Sequence, residues 1–485
     1  RARKTPRGAR RPPMRMFTRF RDRSYFLLGC LLAAHPLFAD QPLDLPAALN
    51  RALAQNRTLA QRSLSLRSAG YGLDAARAEF GFSLRPDGGA ERTQDQDAYR
   101  YGLVLGKKFL PGTEIQTGPR VDRTETDFGS SQRTSWRVDL RQPLFRNFGA
   151  LVQGENVVQA QQRVRSARRD YEQQKAALVL QVVDTFESLI RLERQIAADE
   201  ASLQRADKLY RLTRARERQG RATRVDTLRV ELRRGEAQSR LESNRERLSS
   251  QRRDFAELLG QHPDTVFALE PPPLLELELP PVEDTVRIAL AHRLDYAQTL
   301  QDYGDTLRGE KIARRGLWPD ISLVARYESF DTSGDAAVTG NDSLWAVGLA
   351  GETDLNQTRE RSRLGQAVIN RESARETIRI RELSITREVQ QQSSAYRRAL
   401  DELTIAERNH QLASQRARLA RRLFELGRGD NFSVTDAEEA LTQAEDRLLG
   451  ARAEASLAGY RYLNTVGTLL EAPADLLPNP NEVPL

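Results

Sequence analysis

A chain of 485 residues is long enough for two or three ordinary domains, but with 6% aromatic residues it has too few large rings for one compact core. Its single cysteine excludes a disulfide framework and any Cys-rich metal centre, and no run reaches the ~18 uninterrupted apolar residues of a membrane-spanning helix. The formal charge of +8 belongs to the N-terminus: residues 1–39 hold ten Arg and Lys against Asp22 alone, and the rest of the chain holds 65 bases and 66 acids, so the charge gives no argument for nucleic acid.

The first forty residues read as a leader. Basic residues Arg15 to Arg23 precede an apolar run, Tyr25 to Ala34, and Ala39 ends a cleavage site before Asp40. Residues 14–39 are expected to be a signal peptide, with translation starting at Met14 or Met16 and residues 1–13 not translated. Leu27-Leu28-Gly29-Cys30 has the outline of a lipidation box, but only six uncharged residues separate Arg23 from Cys30. After the leader come a first repeat over 40–270, a Pro-rich linker over 271–281, a second repeat over 282–472 and a tail over 473–485.

The repeats align at a constant offset of 207: Gly220 with Gly427, Arg221 with Arg428, Glu231 with Glu438, Ala237 with Ala444, Leu241 with Leu448 and Gly260 with Gly467. Each repeat reads as short helix, strands, long helix, turn, helix. Ala52-Leu53 and Ala289-Leu290 mark the short helices; Arg85-Pro86-Asp87 and Trp318-Pro319-Asp320 are expected to end them. Proline is absent between Pro143 and Pro263 and between Pro319 and Pro473. Apolar residues there recur every seven positions, as in Val182, Leu189, Ile196, Leu203 and Tyr210, and in Ile405, Leu412, Leu419 and Leu426. That period implies coiled-coil packing. Alanines at 399, 406, 413 and 420 and at 437, 444, 451 and 458 form second seams, which permit a ring of helices. The rising helix over 150–217 would span about 100 Å and its return over 222–260 about 60 Å, so the short helices over 46–81 and 283–316 are expected to stack end to end with the return helices.

Between the helices, Trp136, Val138 and Leu140 alternate with Arg137, Asp139 and Arg141, and Trp345, Val347 and Leu349 repeat the pattern. Tyr101, Leu103 and Leu105 share a face, as do Ile321, Leu323, Ala325 and Tyr327. Such strands have one apolar and one wet face. A half-buried soluble sheet gives the same signal. Joined to a signal peptide, it favours an outer-membrane barrel, and about four strands per chain require several chains to close one. Pro111-Gly112 marks an extra turn inside the long stretch over 88–141.

The chain resembles the TolC-like outer-membrane efflux protein family over nearly all of its mature length. The resemblance rests on Leu45-Pro46-Ala47-Ala48-Leu49 with Ala52-Leu53 and Asn56, Gln142-Pro143-Leu144-Phe145-Arg146-Asn147-Phe148-Gly149, Gln219 to Asp226, Trp318-Pro319-Asp320, and Leu426-Gly427 with Ala437-Glu438 and Ala444. One departure is Gly351-Glu352-Thr353-Asp354-Leu355, where the family has a Pro-Leu-Phe form. The resemblance implies an α+β membrane protein and a homotrimer. Each chain would give four strands to a shared 12-stranded barrel in the outer membrane, and long coiled-coil helices to a periplasmic α-barrel. The implied role is an exit duct of a tripartite efflux or type I secretion system, with a periplasmic adaptor and an inner-membrane pump as partners. A secreted or periplasmic coiled-coil scaffold without a pore is the alternative.

By the same resemblance, the two helix reversals are the adaptor-docking tips: Gly220, Arg221, Ala222, Thr223 and Asp226 in one, Gly427, Arg428, Gly429 and Asp430 in the other. Several members carry an acid about nine residues before the tip glycine. Here that position is Arg418, with Arg421 and Arg422 following and Arg211 and Arg214 in the other repeat, so a basic ring is expected at the aperture. Catalytic, cofactor and metal sites are not expected. His35, His262, His292 and His410 are scattered, and Gly102 to Lys108 lacks the spacing and the Ser/Thr of a phosphate loop. Pairs such as Glu438-Glu439 read as solvated ion pairs, and the chain is not read as an enzyme.

Overall fold

The computed structural model of the protein describes residues 43–333 and 340–478. The expected leader, the loop tip at Gly334-Asp335 and the end of the tail lie outside them.

The first repeat opens with α1 (Leu45–Gln55) and α2 (Arg57–Ala78). Asp44 caps α1 and Asn56 caps α2, each side chain accepting a backbone N–H of the first turn. Strands β1 (Phe82–Arg92), β2 (Gln96–Lys108), β3 (Glu114–Thr126) and β4 (Gly129–Pro143) follow, then a single turn, α3 (Ala150–Gln153), the long α4 (Glu155–Arg218) and α5 (Arg224–Leu258). The second repeat runs α6 (Val282–His292), α7 (Leu294–Arg315), β5 (Asp320–Ser333), β6 (Gly340–Glu352), α8 (Thr358–Glu425) and α9 (Asn431–Val466). Among the described residues no helix is long and apolar enough to cross a membrane.

The six strands form one antiparallel sheet in sequence order. The sequence reading counted four. The first repeat supplies four by itself, because Phe109 and Thr113 close a turn over Pro111-Gly112 and Thr93 closes another onto Gln96. A second difference lies at Arg85-Pro86-Asp87. These residues do not end the helix, which stops at Ala78, but run inside β1. Trp318-Pro319-Asp320 does stand at its expected junction, between α7 and β5.

The strand register puts one apolar band on one face of the sheet. Leu84, Leu105, Val138, Tyr327 and Trp345 share a row, and Pro86, Leu103, Pro119 and Trp136 share the next. The opposite face carries paired charges: Arg100 with Asp122 at 3.3 Å, Arg137 with Glu328 at 3.2 Å and Arg326 with Asp139 at 2.6 Å.

The short helices stack end to end with the return helices. Asn56 donates from Nδ2 to the Leu258 carbonyl (2.9 Å), joining α5 to α2. At the matching place Arg293 donates to the Thr465 carbonyl (3.3 Å), joining α9 to α7. Gly260 and Gly467 sit at these junctions with φ of +72° and +81°. Only glycine fits there, since a Cβ on Gly260 would lie 2.3 Å from the Gln55 carbonyl oxygen. Each composite helix then packs along its long partner, α4 or α8. The upper core gathers Leu45, Ala48, Val182, Val183, Phe186, Leu189 and Leu259, with Phe186 and Phe255 edge to face at 6.0 Å.

The linker is a strap. Tyr396 of α8 donates to the Leu275 carbonyl (2.8 Å) and accepts from Leu277 N–H (3.0 Å), and Leu274, Leu277 and Leu279 cover Ala399 and Leu403. Ala399, Ala406, Ala437, Ala444 and Ala458 are buried, so the alanine seams help to make the α8–α9 contact. The other heptad series on α8, Ile405, Leu412, Leu419 and Leu426, lies open in the single chain, from 54% exposed at Leu412 to 64% at Leu426.

Candidate functional site

The two helix reversals lie at the far end of α4 and α8 from the sheet. At 1.5 Å per residue the 64 residues of α4 span about 96 Å. Both reversals have the same construction. Gly220 (φ +70°) donates to the Glu217 carbonyl (2.9 Å) and Arg221 to the Arg216 carbonyl (2.8 Å). Gly427 (φ +75°) donates to Phe424 (3.0 Å) and Arg428 to Leu423 (2.8 Å). This is the six-residue closure in which a left-handed glycine satisfies the last carbonyls of a helix.

The return helices start alike too. Thr223 caps α5, accepting from Asp226 N–H (3.2 Å) while its own N–H reaches the Asp226 carboxylate (3.1 Å). Asp430, its equivalent at the offset of 207, caps α9 by accepting from Ser433 N–H (2.8 Å). The Thr223 hydroxyl holds the Asp226 carboxyl below its usual range, and Ser433 does the same for Asp430. Ala222 is half-buried, and at Gly429 a Cβ would stand 3.1 Å from the Phe424 nitrogen. The reversals are clasped side by side: Arg216 donates to the Phe424 carbonyl (2.8 Å) and Asn431 to the Asp226 carbonyl (3.4 Å).

The five arginines of the expected ring do not share one environment. Arg421 turns inward and pairs with Glu438 at 3.0 Å. Arg211 pairs with Asp207 at 2.6 Å, and Arg214 lies over the Tyr210 ring at 5.9 Å. Arg418 and Arg422 are exposed, one helical turn apart, with no ion pair among the described residues.

Sequence reasoning read Glu438 as part of a solvated ion pair, but its side chain is only 14% exposed, because it lies in a polar seam between the two hairpins. Arg205 of α4 pairs with Glu438 of α9 at 2.7 Å and approaches Glu445 at 4.0 Å, so Glu438 bridges two arginines from different hairpins. Above it, Asp199, 2% exposed, accepts from Asn244 (2.7 Å). Burial raises the Glu445 and Asp446 carboxyls above their usual range. A cleft of about 230 Å³ opens beside Arg205, between Leu209, Leu212, Phe424 and Val434. The signal for this seam was the charged residue inside an alanine heptad, visible only once the helices are paired.

A one-sided sheet joined to helical hairpins on this scale has known counterparts. The profile of the outer membrane efflux proteins matches residues 48–261 and 286–459. The chain belongs to the outer membrane efflux protein family. Among solved structures it is similar to the outer-membrane channel OprN, with a TM-score of 0.68 at 18% identity over 87% of this chain and 89% of that one. It is similar to the outer membrane protein VceC of Vibrio cholerae, with a TM-score of 0.67 at 17% identity over 87% and 96% of the two chains. The CmeC outer membrane channel of Campylobacter jejuni gives 0.67 at 12% identity over 89% and 87%. At these identities the likeness is one of fold. No curated protein sequence matches the chain. As an outer membrane efflux protein it lies in the outer membrane with a periplasmic part, and its wet-faced sheet and long helices are the parts that suit those two places.

Proposed function

We propose that this outer membrane efflux protein is a passive exit duct rather than an enzyme, built from three copies and fed by an inner-membrane pump through a periplasmic adaptor. The observation that carries the reading is the pairing of a sheet apolar on one face with twin helix reversals about 96 Å away. The open seam of Ile405, Leu412, Leu419 and Leu426 supports the oligomer, since a heptad stripe on a single chain calls for a neighbouring helix.

In this reading Gly220, Arg221, Ala222, Thr223 and Asp226, with Gly427, Arg428, Gly429 and Asp430, form the tips that meet the adaptor. Arg418 and Arg422 supply the charge at the aperture. The test is Ala222→Trp in a host lacking its own duct. The variant is expected to keep the cross-linked trimer and lose efflux. Unchanged efflux removes docking at the tips, and monomers alone after cross-linking remove the trimer.

A further inference from the structure

We propose that the β1–β2 hairpin is part of the membrane wall, so that three copies close an eighteen-stranded barrel, a wider mouth than twelve strands allow. The proposal rests on the trimeric duct argued above.

Three observations carry it. The first is continuity. The sheet runs β1 to β6 without a break, so β1 and β6 are its two edges. An open edge in lipid leaves backbone groups unsatisfied, and closure requires each β1 to meet the β6 of a neighbouring copy.

The second is the face pattern. Phe82, Leu84, Pro86, Gly88 and Ala90 lie on one side of β1, and Ser83, Arg85, Asp87 and Glu91 on the other. The register aligns the apolar side with Leu105, Leu103, Tyr101 and Tyr99 of β2, and through β3 with Trp136, Val138 and Leu140 of β4. Phe82 and Leu84 are 76% and 67% exposed, as open as Val347 and Leu349 on β6 at 62% and 71%. A hairpin lying in water or inside the lumen has no need to continue a lipid-type band across six strands. Charges on this face fall near the strand ends, where Lys107 reaches the Phe80 carbonyl (2.6 Å) and sits 4.5 Å from the Phe82 ring.

The third is anchorage. The helix-side turn between β2 and β3 is locked to the barrel base. Gly149 donates to the Pro111 carbonyl (3.0 Å), Thr113 bonds Gln142, and a Cβ on Gly112 would strike Pro143 at 2.7 Å. The hairpin is therefore held in the wall at the point where β4 passes into α4. Pro86 lacks one ladder N–H, as does Pro119 inside β3, whose pairing with β4 runs on through it.

With strands ~4.8 Å apart and tilted ~40°, eighteen strands give a backbone diameter of about 36 Å, against about 24 Å for twelve. Cargo too wide for the smaller mouth would pass this one.

The test uses single cysteines in a Cys30→Ser background of the full chain in outer membranes. Leu84→Cys and Leu103→Cys are expected to react with a lipid-soluble maleimide and to resist a membrane-impermeant one by at least tenfold. Arg85→Cys and Arg100→Cys are expected to show the reverse preference. Val347→Cys on β6 sets the lipid-facing reference. Equal reaction of all four hairpin positions with the impermeant reagent overturns the proposal. So does a cryo-EM map of the intact trimer with twelve strands. A complex of another chain number would instead defeat the trimer reading, while the labelling still reports whether each hairpin lies in the wall.

Discussion

Arg216, in the last turn of α4, caps the neighbouring hairpin: its guanidinium donates to the Phe424 carbonyl at 2.8 Å and lies 4.0 Å over the Phe424 ring. One cation thus satisfies a terminal carbonyl of α8, offsets the negative end of that helix and stacks on an aromatic face. Leu426 and Phe432 beside it are exposed, whereas Phe424 itself is buried beneath the guanidinium.

Replacing Arg216 by Ala is expected to free the end of α8. Loss of a charge-assisted bond is worth about 1.5–3 kcal/mol, which corresponds to tenfold or more faster local opening. Hydrogen exchange at the Gly427 and Arg428 amides would report it. Unchanged protection there would mean that the α8 closure stands without Arg216.

The junction glycines separate backbone strain from steric conflict. Gly220 has φ +70° and nothing within 4 Å of an added Cβ; Gly260 has φ +72° and the Gln55 carbonyl oxygen at 2.3 Å. Gly220→Ala should cost about 1–2 kcal/mol for the left-handed backbone alone. Gly260→Ala should cost roughly 1–3 kcal/mol more, because the α5–α2 stack must part. Thermal melts of the two variants in detergent check the order, and equal melting temperatures would refute it.

These junctions also show what could be read from the residues. A left-handed glycine at a helix end leaves a mark in sequence, so Gly220, Gly260, Gly427 and Gly467 aligned the two repeats, while the stacking of short helices on return helices followed from the difference in helix length. The extra hairpin left the wrong mark. Arg85-Pro86-Asp87-Gly88-Gly89 has the composition of a turn, yet β1 runs straight through it, held by its register with β2. The turn that does follow, at Thr93 to Asp95, has no glycine or proline. The reversals were legible because they are local. The Arg205–Glu438–Arg421 seam was not, since it joins residues more than 200 positions apart whose meeting depends on how the two hairpins pack.

Glu187 offers a pH test. It lies within α4 at 8% exposure, and burial raises its carboxyl above the usual range, opposed by a hydrogen bond from Ser456 and by Arg452. A carboxyl raised in the folded state favours folding while protonated. That contribution is complete below the ordinary value of 4.5 and is lost as pH climbs through the raised value. Glu187→Gln keeps the shape and removes the titration. The variant should melt above the parent at pH 7, and the gap should close as pH falls towards 4.5. A gap that widens on acidification would reverse the sign of the argument.

The last prediction concerns ion preference. Of the arginines expected at the aperture, Arg421 pairs with Glu438 and Arg211 with Asp207, and Arg214 rests on Tyr210. Arg418 and Arg422 lie on one exposed face of α8 with no ion pair among the described residues, and no acid lies between His410 and Phe424. Three copies would bring six such groups around one opening. A guanidinium stays charged at every working pH, so this field does not titrate away. Fixed rings of charge select ions of opposite sign where a pore is narrow. In a planar bilayer with a salt gradient, the reversal potential should have the sign of an anion-preferring pore. Arg418→Ala with Arg422→Ala should move it towards zero, whereas Arg421→Ala alone should change it far less because Arg421 turns into the seam towards Glu438. A strongly cation-selective pore whose reversal potential ignores the double substitution would remove these arginines from the conduction path.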